Sequence, residues 1–471
     1  MIRFKDVTFE KRKIAKSLST KGLAIVVELN SYPEPGSNRH GLPHWCLRPA
    51  RLPIPPSGHQ MRCKGKHIFF NWQEFVLKIL KILGQFADNP YLSSRNLYIT
   101  FKSDRMNTNL NSNYCVILAG GKGRRLWPSS RLERPKQFMD FFGTGRSLLQ
   151  QTFDRISRIM PADHIYVCTS KEHLGRVRQQ LPEVAADHVL AEPVNRNTAP
   201  AVAWAGRRIH RESNDARILI TPADQLVLDE DRYRSNVLDA LDFVGQNDIM
   251  MTMGIKPTRP EPGYGYIQMG EPTLSEGISK VQSFTEKPER EFATVFMESG
   301  EFLWNTGMYL CNVNYMRRWF LSVIKDMPFR LANLEGHYTL EEEERYVQEH
   351  FPAYPNLSFD KAALELSEDG VYVKRCDFGW ADIGTWHALY ESMHKTEGDN
   401  VVLGTTDVIM EDCANNIVCL PKGHVGVVNG LDGYIVVEQG DVLLICKKSD
   451  SSALIRKYAT EVGIKYGEKF V

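Results

Sequence analysis

Leu118-Ala-Gly-Gly-Lys-Gly-Arg-Arg-Leu-Trp-Pro128, continued by Arg134-Pro135-Lys136-Gln137-Phe138, is the stretch from which the rest of the chain can be read. It follows the apolar run Tyr114–Leu118, which predicts a strand. A glycine-rich turn after a strand lets backbone N–H groups approach phosphate oxygens closely, so Gly120, Gly121 and Gly123 are candidate nucleotide-binding positions. Gly121-x-Gly123 alone discriminates little. A dinucleotide fold needs a third glycine running straight into a helix, and a P-loop needs Gly-Lys-Ser/Thr after four intervening residues; neither is present. Arg124-Arg125 followed by Trp127-Pro128 prevents an immediate helix. What remains is a glycine loop flanked by Arg125 and, eleven residues on, Lys136. Two cations beside a phosphate loop suit a reaction that releases pyrophosphate. Arg124 reads as a surface cation.

Outward from this block, strands alternate with helices. Helices are predicted over 147–159, 171–181, 198–211 (from a Thr198 cap) and 233–245. Strands are predicted over 165–169, 188–191, 217–221 and 249–255. This pattern predicts an α/β, Rossmann-like domain over 106–397 with a mostly parallel sheet and helices on both faces. Ligands of such sheets bind beyond the carboxyl ends of the strands, where the Gly120 loop and Asp224 both lie. After about Gly398 six short apolar stretches follow, 401–403, 407–410, 417–420, 425–428, 434–437 and 442–446. Turn residues such as Asn416, Gly423, Gly430 and Gly433 separate them. They predict a small C-terminal all-β, short β-helix-like domain over 398–471, closed by a mixed segment from about 452.

The chain has 471 residues, 42% hydrophobic and 24% charged. Those values exclude a wholly disordered chain, a collagen-like fibre and a polytopic membrane protein. No apolar run reaches the roughly 18 residues of a spanning helix. Nine scattered cysteines without a CxxC point to reduced thiols and a cytoplasmic protein, not to a zinc site or a disulfide framework. The net charge of +1 hides an asymmetry: residues 1–105 carry 18 basic and 7 acidic side chains, residues 106–471 carry 40 and 50. The basic segment is rich in proline, with one predicted helix near Trp72–Phe86. It reads as an atypical segment, disordered or upstream of a true start at Met106; a basic arm and a targeting segment are the competing readings. Neither nucleic acid nor membrane is an expected partner. Glu341–Glu344 reads as a solvated helix face, and Met250, Met251 and Met253 as core strand residues.

The block around Gly120 resembles the G-x-G-T-R-L-x-P and P-K signature of sugar-1-phosphate nucleotidyltransferases, with Arg124 in place of the usual Thr. The resemblance is strongest to the mannose-1-phosphate guanylyltransferase branch. Glu192-Pro193-Val-Asn-Arg-Asn197-Thr198-Ala-Pro200 is similar to that branch's guanine-holding E-P-x-G-R-N-T-A-P, with Asn195 for Gly. A carboxylate at Glu192 can accept from the N1–H and the exocyclic amine of guanine, a donor pair that adenine lacks. Thr221-Pro-Ala-Asp224-Gln225 resembles P-A-D-H, with Gln225 for His. Gly379-Trp-Ala-Asp382-Ile-Gly-Thr-Trp386 resembles G-W-x-D-x-G-x-W, and Gly263–Ile267, Phe284–Pro288 and Trp304–Met308 resemble the sugar-side motifs. The resemblance implies GTP and mannose 1-phosphate as substrates and Mg²⁺ on Asp224 and Asp382. It implies catalytic roles for Arg125, Lys136, Asp224, Lys287 and Asp382, and nucleotide contacts from Gly120, Gly121, Gly123, Glu192, Asn197 and Thr198. Gly265, Glu286 and Asn305 are the implied sugar ligands. The implied chemistry is direct in-line attack of the sugar phosphate on the α-phosphorus. A homodimer through the C-terminal part is expected by analogy. Many bacterial relatives carry a further isomerase barrel; with the sequence ending at Val471, no isomerase activity is expected. Another hexose 1-phosphate or nucleotide, and a non-catalytic GDP-mannose-binding subunit, are the alternatives.

Overall fold

A computed structural model describes residues 112–471 apart from 274, 324–337, 368–369, 405–406 and 450, together with the strands Leu29–Asn30, Cys46–Leu47, Met61–Cys63 and Lys66–Ile68. Met1–Thr108 and Asn109–Val471 form two compact units. In the first, Leu29–Asn30 pairs antiparallel with Cys46–Leu47, and Met61–Cys63 with Lys66–Ile68. The helix expected near Trp72–Phe86, and Met106, lie outside the described residues.

The second unit is built on β1 (Asn113–Leu118), β2 (Ile165–Ser170), β3 (Val189–Glu192), β4 (Arg217–Pro222), β5 (Gln225–Val227), β6 (Met250–Ile255), β7 (Gly265–Pro272), β8 (Ile278–Glu286), β9 (Phe302–Asn312), β10 (Val371–Cys376) and β11 (Trp380–Asp382). Nine of these form one sheet in the order β6-β10-β8-β7-β9-β4-β1-β2-β3, and β5 pairs with β11 outside it. The half around the Gly120 loop is parallel, β1 lying between β4 and β2, with β3 beyond. The sheet as a whole is mixed, which corrects the mostly parallel expectation. β7 and β8 are joined by a turn closed by Thr273 N–H on Ile278 O (2.9 Å), too short a link for a parallel return. The eleven-residue β9 then runs antiparallel to β4, β6 and β7.

Side chains alternate across the parallel half, as a pleated strand requires. Cys115 and Ile117 face α1 (Leu148–Ser157) and α4 (Glu230–Gln246) through Leu149, Phe153, Val237 and Leu241. Tyr114 and Val116 face α3 (Thr198–Glu212) and α6 (Val313–Val323) through Val202, Ile209, Met316 and Trp319. Helices therefore cover both faces; α2 (Leu174–Gln180) packs by β3, and α5 (Arg290–Ser299) by β9. Met250, Met251 and Met253 are fully buried. Glu341–Glu344 lie in α7 (Leu340–His350), but that helix face is not wholly solvated. Glu343 is fully buried and accepts from Trp204 Nε1 (2.6 Å) and the Arg208 guanidinium, which satisfies the charge that burial would otherwise make costly.

After α8 (Phe359–Glu365) and α9 (Trp386–Met393) come β12 (Val401–Leu403), β13 (Val408–Glu411), β14 (Ile417–Cys419), β15 (Gly426–Asn429), β16 (Tyr434–Gln439) and β17 (Val442–Lys447). β12-β14-β16 and β13-β15 stack as two parallel ladders, and β17 closes the first antiparallel. The segment is not all-β: a sixteen-residue helix, α10 (Ser451–Tyr466), follows β17. There the strand alternation gives way to helix-forming Ala453, Leu454, Arg456 and Lys457, with Ile455 and Ala459 buried one turn apart. One apolar cluster joins Leu126, Trp127 and Trp386 to Ile417, Ile435 and Ile455, so the glycine loop's C-terminal flank rests on the ladders and α10. Among the described residues seven cysteines are free, and no helix is long and apolar enough to cross a membrane.

Candidate active site

The glycine loop leaves β1 at Leu118. Ala119 N–H donates to Cys168 O (2.8 Å), and Gln137 Nε2 donates to the carbonyls of Ala119 (2.8 Å) and Gly121 (2.9 Å). These bonds draw the loop carbonyls inward, and nothing lies within 4 Å of a Cβ placed on Gly121. Gly123 has φ 61°, and a Cβ there would meet Ser130 Oγ at 2.3 Å and the Lys136 backbone N at 3.1 Å. Of the predicted glycines, Gly123 is thus needed for the chain path, while Gly121 presents open space. Gln137 was not among the predicted site residues; its task is a pair of main-chain contacts that no local pattern encodes. The segment after the loop is tied to the end of α10's extension: Trp127 Nε1 donates to Phe470 O (2.7 Å) and Leu132 N–H to Val471 O (3.1 Å).

Asp224 follows β4, and Asp382 ends β11. The antiparallel β5–β11 pair sets Gln225 opposite Asp382, and Ile383 N–H donates to Asp224 O (3.3 Å), so two carboxylates far apart in sequence converge. Lys136 stands between them, its Nζ 2.6 Å from Asp224 Oδ2, 3.7 Å from Asp382 Oδ1 and 2.9 Å from Ile383 O. Burial alone would lower the Lys136 pKa, but the two carboxylates outweigh it and hold the ammonium charged, above the ordinary lysine value. Burial pushes the Asp382 carboxyl upward; Lys136 opposes this and Asp224 adds to it. Arg125 stands beside Asp382: a Cβ on Gly384 would lie 3.0 Å from Arg125 Nη2 and 2.7 Å from Asp382 Oδ2. Among the described residues no group of three His, Cys, Asp or Glu side chains is set to hold a metal. The Asp224–Asp382 pair nevertheless fits a hard divalent cation, whose remaining oxygen ligands would be phosphate and water.

A cavity of about 420 Å³ opens beside the loop, lined by Gly120, Gly121, Glu192, Asn197, Thr198 and Asp224. Glu192 is buried, and burial pushes its carboxyl up to about 8. The helix cap lies one residue earlier than expected. Asn197, with φ 65° and ψ −163°, caps α3 through its side chain on Thr198 N–H, and a positive φ is least accessible to a β-branched residue such as Thr. The Thr198 hydroxyl instead accepts from Phe359 N–H (2.7 Å) and fastens α8 to the same wall.

On the sugar-side motifs, register pairs Gly265 with Glu286, and a Cβ on Gly265 would come within 2.9 Å of Glu286 Oε2. Glu286 and Lys287 form an ion pair with each other, and Lys287 has φ 48°. Asn305 is already engaged: its amide donates to Asp360 Oδ1 (2.7 Å), and its Oδ1 accepts from Thr252 Oγ1 (3.2 Å). Asp360 also accepts from Tyr309 OH (2.9 Å) and lines the smaller cavity; it is a site residue the sequence reading missed. Arg125 and Lys287 line a second, larger cavity.

The profile of the family described as "Nucleotidyl transferase" matches residues 114–398. A mannose-1-phosphate guanylyltransferase of Salmonella montevideo is 34% identical over 360 residues, 74% of each chain. A protein of the same name from Escherichia coli K12 is 35% identical over 71% of this chain and 70% of its own, and the alginate biosynthesis protein AlgA of Pseudomonas aeruginosa is 35% identical over 71% and 69%. A crystal structure from Thermus thermophilus, described as a mannose-1-phosphate geranyltransferase, superposes with a TM-score of 0.66 at 29% identity, covering 74% of this chain and 99% of that one. With the profile over more than half of its length and these relatives covered over more than two thirds of theirs, the chain belongs to the nucleotidyl transferase family of enzymes.

Proposed function

We propose that the enzyme joins GTP and α-D-mannose 1-phosphate to give GDP-mannose and diphosphate, in the cytoplasm. The observation that carries this reading is a buried carboxyl, Glu192, lining one cavity with Gly120 and with Asp224 of the Asp224–Lys136–Asp382 cluster, in a chain whose relatives bear the mannose-1-phosphate guanylyltransferase name. Glu192 accepts the two donors of the guanine edge. The Gly120–Gly121 backbone takes the phosphates, Arg125 and Lys136 balance the charge of the departing diphosphate, and Lys287 brings in the sugar phosphate against the triphosphate's repulsion. No protein nucleophile is required, since a phosphate monoester is already an anion; positioning and charge neutralisation carry the catalysis. Asp224 and Asp382 would hold Mg²⁺, which neutralises phosphate charge when bound. Residues 106–397 are the proposed catalytic domain, and the strand ladders of 398–471 a small accessory domain.

Diphosphate release is the test, with Mg²⁺, mannose 1-phosphate and each common nucleoside triphosphate in turn. Release with GTP alone is expected; preference for another nucleotide would overturn the guanine assignment and leave the reaction class.

Glu192 also gives the site a pH signature. The free carboxyl holds its proton up to about pH 8, and guanine needs the carboxylate. Binding below that pH must expel the proton, so affinity rises with pH by up to about tenfold per unit and flattens above about 8. Calorimetry with GDP-mannose at about pH 6.5 and about pH 7.5 should give dissociation constants roughly tenfold apart. Release of nearly one proton should accompany binding at the lower pH. The Glu192→Gln protein should bind weakly with no such slope. A flat wild-type profile would remove the Glu192 carboxylate from base recognition.

A further inference from the structure

We propose that Lys448 and Arg456, in the C-terminal segment, bind a phosphoryl anion of the reaction. That anion is the departing diphosphate or the sugar phosphate, held in the larger cavity that Arg125 and Lys287 also line. The inference rests on the nucleotidyl-transfer reading of the site and adds two binding residues that none of the sequence motifs contains.

The cavity measures about 1170 Å³, above the roughly 300–1,000 Å³ of a typical small-ligand pocket. It therefore has room for more than a hexose phosphate. Its lining brings Arg125, Lys287 and Arg290 together with Lys447, Lys448 and Arg456 from the C-terminal segment. Three carboxylates also line it, and they are largely committed. Glu261 and Glu391 face Arg259 at 3.4 and 3.9 Å, and Asp432 accepts from the Asn415 amide (2.8 Å). Among the described residues neither Arg290, Lys447 nor Arg456 forms an ion pair. Cations gathered around one cavity, three of them without an ion-pair partner among the described residues, repel one another. A ligand carrying two or more negative charges relieves that repulsion and gains charge-assisted hydrogen bonds.

Lys448 is presented, not left to wander. Its backbone N–H donates to Gly433 O (2.7 Å), and its ammonium sits over the Tyr390 ring, 3.0 Å from the centroid. Burial lowers its pKa to about 8 in spite of Glu391 and Asp432, so an arriving anion would strengthen its charge. Arg456 projects from α10, the helix whose Ile455 and Ala459 fix it to the core beside Leu126 and Trp127. The same cavity exposes Arg125 and Lys287, the two side chains assigned above to the phosphate groups. The anion is accordingly one that takes part in the reaction.

The test uses the full chain with Lys448→Met, which removes the ammonium and keeps an unbranched side chain, Arg456→Ala, and both together. Calorimetric dissociation constants are measured for inorganic diphosphate, mannose 1-phosphate and GDP-mannose, with the melting temperature as the control. The double variant should bind one of the two anions at least about tenfold more weakly with an unchanged melt; GDP-mannose affinity should stay within about twofold if that anion is diphosphate, and fall as well if it is mannose 1-phosphate, whose phosphate GDP-mannose retains. A loss confined to diphosphate assigns the pair to the leaving group, and a loss shared by mannose 1-phosphate and GDP-mannose assigns it to the acceptor. Unchanged affinity for both, or a wild-type protein that binds neither, overturns the proposal. Because binding is read without turnover, a wild type inactive with GTP would sink the proposed function while leaving this result to stand or fall alone.

Discussion

Methionine in place of Lys136 is expected to lower kcat by a few hundredfold, about the loss that follows removal of one preorganised charge-stabilising group. The ammonium is the shared partner of both carboxylates and of Ile383 O, and it is buried. Without it Asp224 and Asp382 face each other uncompensated, and Asp382, whose carboxyl burial already pushes upward, takes up a proton. The pair then no longer presents two anionic oxygens to a cation, and the diphosphate loses a positive charge at the same time. Stability should fall too, by about 2 kcal/mol: breaking a buried pair can cost more, but these carboxylates are 23% and 28% exposed and can be hydrated or neutralised. Arginine should not rescue the rate, because its planar fork cannot occupy the point between the two carboxylates. Turnover within about tenfold of wild type, measured below the variant's melting temperature, would show that Lys136 is a structural brace alone.

The parts of the site that could be read in advance are those encoded over a few residues. β1 and its glycine loop announce themselves because an apolar run ends abruptly in Gly120-Gly121. The C-terminal strands are legible because each corner carries a turn residue such as Asn416, Gly430 or Gly433. The helix of α10 escapes that reading because apolar residues lie all round it: the exposed Leu454, Ile464 and Tyr466 blur the face made by Ile455, Tyr458, Ala459 and Val462. The mixed sheet escapes it for a different reason: β9 is buried on both faces, so its sequence shows no alternation from which direction could be inferred. Gln137 and Asp360 do their work through contacts with Ala119, Gly121, Asn305 and Tyr309, which only the tertiary fold brings near. The meeting of Asp224 with Asp382 belongs to the same class. It depends on the β5–β11 register, and in the sequence only the resemblance to known motifs pointed to it. Glu343 misleads in the opposite direction, a glutamate in an acidic run that is buried because Trp204 and Arg208 reach it from α3.

Alanine at Gly123 and alanine at Gly121 should fail in different ways, and the contrast separates the loop's architecture from its chemistry. At Gly123 the backbone is left-handed, which costs an alanine about 1 kcal/mol before any contact is counted. The new Cβ would also press on Ser130 Oγ at 2.3 Å and on the Lys136 backbone and Cγ at 3.1 Å. Ser130 and Lys136 are both buried, so neither has free space to retreat into without moving backbone. Gly123→Ala should therefore lose about 2–4 kcal/mol of stability, in the range of overpacking plus backbone strain. It should also lose at least about a hundredfold in kcat, since a shift near 1 Å in Lys136 is enough for that. Gly121 lies in an ordinary backbone conformation with nothing within 4 Å of an added Cβ. Gly121→Ala should melt within a degree or two of wild type, yet raise the KM for the nucleotide by about tenfold or more, because the methyl group would stand where the phosphates approach the loop N–H groups. Thermal melts and steady-state kinetics on the two proteins suffice. A Gly121→Ala enzyme with normal KM would move the phosphates off this loop. A Gly123→Ala enzyme of normal stability and rate would mean that the loop reaches Lys136 by a path the buried Ser130–Lys136 contact does not constrain.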